Sequence, residues 1–107
     1  MSKNPIIHRS VLSRSHPILV IQLAFAVEER FTSLLNMWLR SKGEMITPPT
    51  YLDSDMLLWR KLVKRLRKGD FRNTPDELAA TRRVADWTLL KKCELVGEVY
   101  KPIDWGD

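Results

Sequence analysis

Apolar residues recur through residues 17–42 at Val20, Ala24, Val27, Phe31, Leu34 and Trp38, with spacings of four, three, four, three and four. Only an α-helix brings such positions to one side, because one turn takes 3.6 residues. Gln22, Glu29, Ser33, Asn36 and Arg40 fall on the opposite side. Ser15, His16 and Pro17 suit a helix start, where the missing proline N–H would have no partner anyway. Gly43 supplies a left-handed stop, with Arg40 and Lys42 at the carbonyl end of the helix dipole. The spacing therefore predicts one rod of about 39 Å, and whatever else the chain forms must cover its apolar side.

The rest of the 107 residues supplies two shorter helices. Adjacent Pro48 and Pro49 forbid helix and make a stiff connector. Asp53, Ser54 and Asp55 then offer an N-cap and first-turn acids for a helix over 55–68, which Gly69 ends. Met56, Trp59, Leu62, Val63 and Leu66 give that helix one apolar face. A third helix over 75–95 opens with a capping box, Thr74 and Glu77 flanking Pro75. Its apolar residues Leu78, Ala80, Val84, Ala85, Trp87, Leu89 and Leu90 spread widely around it, which predicts a central element buried on more than one side.

The expected fold is all-α: a small helical bundle of three main helices (about 17–42, 55–68 and 75–95), an arm over 1–16 and an extended C-terminal tail over 97–107. Residues 1–16 hold Ile6, Ile7, Val11 and Leu12 among serines and basic groups, without a clear period. Ala24-Phe25-Ala26 matches a signal-cleavage pattern, but it lies inside the apolar run with no polar stretch before it, so the run is read as helix. That run is also about half of the ~20 residues a bilayer span needs, so no membrane span is expected.

Composition narrows the chemistry. A single cysteine, Cys93, excludes an internal disulfide and suits a reducing cytoplasmic setting. Cys93, His8 and His16 have neither the number nor the spacing for zinc, and Asp53 and Asp55 read as helix-capping acids rather than metal ligands. No glycine-rich phosphate loop or nucleophile elbow occurs. The expectation is thus a non-enzymatic protein without metal or cofactor.

Charge is the remaining signal. Lys and Arg total 18 against 13 acids, for a formal charge of +5, and six of the nine residues from Arg60 to Lys68 are cationic. Arg60, Lys61, Lys64, Arg65, Arg67 and Lys68, extended by Arg72 and also by Arg82 and Arg83, form a candidate surface for nucleic acid or an acidic protein. A solvated face that only keeps the protein soluble has the same sequence pattern. A helix-turn-helix is a poor match, since the basic residues lie on the leading helix and the turn is long.

Two further surfaces are candidates. Val20, Val27, Phe31, Leu34 and Trp38 have coiled-coil spacing and more apolar length than two shorter helices easily cover, which points to a homodimer, although packing within one chain uses the same spacing. Tyr51 and Trp105, in irregular segments beside prolines, are candidate anchors for a protein partner. On that reading the chain is an adaptor or inhibitor, of the kind mobile genetic elements encode, acting without nucleic acid.

Overall fold

A computed structural model describes residues 17–105. The expected arm over 1–16, with His8 and His16, lies outside the described residues. Among the described residues three helices follow one another: α1 (Pro17–Lys42), α2 (Asp53–Arg67) and α3 (Pro75–Val96), with a 3₁₀ turn at Thr50–Leu52 before α2. No strand occurs among the described residues. The fold is all-α, as the periodicity predicts.

The seam of α1 is spent on the chain's own core. Val20, Val27, Phe31 and Leu34 are each 5% exposed or less and pack with Trp59, Leu62, Val63 and Leu66 of α2 and Leu78, Val84 and Trp87 of α3. Phe31 is the hub. Its ring centroid lies 5.7 Å from that of Trp59 and 6.0 Å from that of Trp87, both tilted, so each helix gives one aromatic to a tilted cluster. The Trp59 indole N–H donates to the Ala24 carbonyl at 3.3 Å, which satisfies its one polar atom inside the core. Four of the five residues expected at a dimer surface, Val20, Val27, Phe31 and Leu34, are thus buried within this chain. Trp38, the fifth, is half-buried, with the Lys42 ammonium 5.7 Å from its ring centroid. Leu52 of the 3₁₀ turn and Ile46 of the connector join the same core, and Ile103 and Trp105 of the tail line a groove together with Val27 and Leu34.

α3 packs against both other helices, as its spread of apolar residues implies. It begins with the capping box: the Glu77 N–H donates to Thr74 Oγ1 at 3.1 Å and the Thr74 N–H donates to the Glu77 carboxylate at 2.9 Å. It ends at Gly97, whose φ of 75° closes the last turn where a side chain would be strained. Cys93 is buried near that end. Thr81 and Thr88, also buried, return their hydroxyls to the carbonyls of Glu77 and Val84 one turn back.

The start of α2 departs from expectation. The 3₁₀ turn runs directly into the helix, so Leu52 occupies the N-cap position and no side chain caps it. Asp53 is the first helical residue rather than the cap. Asp55 is buried at 7% exposure and accepts two hydrogen bonds from Arg83 of α3, each 2.8 Å. Its place in the core follows from that bidentate partner, since a buried carboxylate needs its charge and lone pairs answered.

Candidate functional site

α2 presents three flanks to its surroundings. Met56, Trp59, Leu62, Val63 and Leu66 point inward and are buried. The cationic residues occupy the other two-thirds of the helix, but they do not behave alike. Arg67 reaches across to α1 and pairs with Glu28, with its guanidinium also 5.7 Å from the Phe25 ring centroid. Arg65 reaches the other way to α3 and pairs with Glu77 at 2.6 Å, and it donates to the Arg72 carbonyl at 3.0 Å. Two arginines on opposite flanks therefore lash α2 to both neighbours.

Between those braces runs a stripe without them. Positions 57, 61, 64 and 68 share one side of a helix, and here they are Leu57, Lys61, Lys64 and Lys68, all exposed. Arg60, also exposed, sits on the flank facing α1. None of Arg60, Lys61, Lys64 and Lys68 forms an ion pair among the described residues. Apart from Arg60, the division follows side-chain chemistry: the planar guanidinium fork binds carboxylates with fixed geometry, while the flexible, strongly hydrated ammonium stays in water.

The cations that extend the patch in the sequence are otherwise engaged. Arg72 clamps Asp70 two residues away, through bonds of 2.9 and 2.8 Å to the two carboxylate oxygens. That hydrogen bonding holds the Asp70 carboxyl well below the usual carboxylate range. Arg83 is bound to Asp55, and the Arg82 guanidinium lies 5.9 Å from the Trp105 ring centroid. Of the seven residues Arg60, Lys61, Lys64, Arg65, Arg67, Lys68 and Arg72, three are thus answered by acids, and the other four have no acidic partner among the described residues. The Arg65 bond also depresses the Glu77 carboxyl, against the opposing effect of its burial. Sequence reasoning missed these pairings. The capping box did mark Glu77 as structurally committed, but Glu28 lies 39 positions from Arg67 and carries no local signal.

Two of the grooves along α1 bear on the candidate residues. The one between α1 and α2, about 540 Å³, has Arg60, Lys64, Arg67 and Lys68 along one wall and Phe31, Leu35 and Val63 among its lining. The other, about 590 Å³, lies between α1 and α3, and the tail's Ile103 and Trp105 form part of it. Trp105, expected as a free anchor, is half-buried there, and its indole N–H is shared by the two oxygens of Asp86 at 3.2 and 3.4 Å. Burial pushes the Asp86 carboxyl up, and the indole bond partly offsets this. Tyr51, the other expected anchor, is 75% exposed in the 3₁₀ turn.

Among the described residues, no group of three or more His, Cys, Asp or Glu is placed to hold a metal ion, and no helix is long and apolar enough to cross a membrane. No protein-family model, curated protein or solved structure matches the chain.

Proposed function

We propose that this chain is a non-enzymatic binding protein that engages a polyanionic partner, a nucleic acid or an acidic protein surface, through the outer side of α2. One observation carries the reading: Arg60, Lys61, Lys64 and Lys68 stand exposed and, among the described residues, without acidic partners, on a helix whose Arg65 and Arg67 are tied to acids on both sides. A face that served only solubility has no need of a braced support. Bracing fixes the spacing of the open charges, so they meet a partner with little ordering cost.

The magnitude is modest and measurable. Four cations meeting phosphates give a salt slope near 0.9 × 4, so affinity for duplex DNA falls about 10²-fold between 50 and 200 mM salt. The Lys61→Glu, Lys64→Glu double variant keeps its helical circular dichroism and loses that binding. Binding that is insensitive to salt, or equal in the variant, refutes the reading.

A second reading has its own support. Tyr51, 75% exposed, and Leu57, 56% exposed, are large apolar side chains held outward at the start of α2. They favour an adaptor or inhibitor that grips a protein through apolar anchors without nucleic acid, as mobile genetic elements encode. Under that reading, capture of the partner survives high salt and is lost on Tyr51→Ala.

A further inference from the structure

The groove between α1 and α2 shares Lys64 and Lys68 with the outward lysine stripe and adds an apolar lining to them. Arg60, Lys64 and Lys68 line one wall, all exposed and without acidic partners among the described residues. On the α1 wall stand Thr32, exposed, and Leu35, half-buried. Glu28 is the one acid in the lining and is already held by Arg67. The groove therefore joins an apolar floor to a positive rim on one side only.

That combination selects among polyanions. A duplex backbone is polar over its outer surface and reads no apolar floor, so it would answer the rim and leave Leu35 wet. An amphipathic helix carries an apolar stripe beside a charged one, and a cleft between two helices is a common seat for it. The register agrees. Arg60, Lys64 and Lys68 recur every four residues, about 6 Å per step, the same interval at which acids at i, i+4 and i+8 advance along a second helix lying alongside.

We infer that the α1/α2 groove is a docking site for an acidic amphipathic helix of a partner protein, with apolar side chains set against Leu35 and Val63 and carboxylates against Arg60, Lys64 and Lys68. This rests on the polyanion reading, whose charges it shares, and adds the apolar floor as the feature that distinguishes a protein from a nucleic acid.

The test uses the full chain and three labelled probes followed by fluorescence anisotropy: a designed helical peptide with a leucine stripe flanked by glutamates at i, i+4 and i+8, the same peptide with its leucines replaced by serine, and duplex DNA. Thr32→Trp plugs the groove from an exposed position without changing charge. Leu35→Ala removes floor without filling the cleft, and circular dichroism checks both folds. The leucine peptide binds the native chain at least tenfold more tightly than the serine peptide. Thr32→Trp weakens it tenfold or more, Leu35→Ala severalfold, and duplex binding stays within twofold in both. If the two peptides bind equally, if only the duplex binds, or if both variants leave the leucine peptide unaffected, the groove assignment is overturned while the polyanion reading stands. If no probe shows salt-sensitive binding, both fall together.

Discussion

Replacing Glu77 with alanine tests the bracing of α2 most directly. The residue is 5% exposed, and its carboxylate does two things at once: it accepts from the Thr74 N–H as half of the capping box, and it holds Arg65 of α2. Losing the cap costs about 1 kcal/mol. Hydrogen bonds to a charged group contribute about 1.5–3 kcal/mol, and the lower end applies because the Arg65 side chain is 31% exposed and solvent screens the pair. Arg65 can turn to water once released, so no buried unpaired charge adds to the loss. The sum is about 2–3 kcal/mol, which for a domain of this size lowers Tm by about 10–20 °C. Glu77→Gln keeps an acceptor for Thr74 and loses only the charge, so it falls between. The pH dependence has a definite sign. The folded pKa of Glu77 lies below the ordinary 4.5, so its contribution is complete above that value and is lost as pH falls through the depressed folded one. Thermal unfolding followed by circular dichroism from pH 7 to 3 should show the gap between native and Glu77→Ala proteins narrowing with acid. A gap under about 3 °C at pH 7, or one that widens on acidification, refutes the double role.

Two other outcomes follow from the packing. Val27, 2% exposed, faces the chain's own core, so Val27→Glu buries an unpaired charge and unfolds the protein; a variant that keeps the native helical circular dichroism and melting temperature would contradict this. Burial holds the Asp86 pKa above 3.8 and the Trp105 indole opposes that shift, so Trp105→Phe moves the carboxyl further up in a side-chain NMR titration. Its charged form then costs more stability at neutral pH and less as pH falls through the raised value; an unchanged titration would show that the tail does not reach Asp86.

Local signals in the sequence account for most of the fold. The limits of α1 follow from one proline and one glycine flanking a sustained period, and the start of α3 from a reciprocal cap, all of which act within a few residues. The start of α2 was less legible, because a 3₁₀ turn hands over to it without a capping side chain. The candidate surface was half legible. Its cations are visible in the chain, but which of them stay open depends on Glu28, Asp55 and Glu77, acids set opposite by helix packing rather than by sequence distance. The same holds for the α1 seam, whose spacing fits a second chain as well as its own until Trp59 and Trp87 are seen to close around Phe31.

If the outer side of α2 is the binding surface proposed above, the braces on either flank leave foldedness and recognition under separate control. Lys61, Lys64 and Lys68 can be exchanged one by one at little cost to the bundle, since exposed substitutions away from packing shift stability by only about 0.5 kcal/mol. Arg65 and Arg67 cannot drift without their acids drifting too. A lineage of such chains would therefore be free to retune what it grips while inheriting its scaffold nearly unchanged.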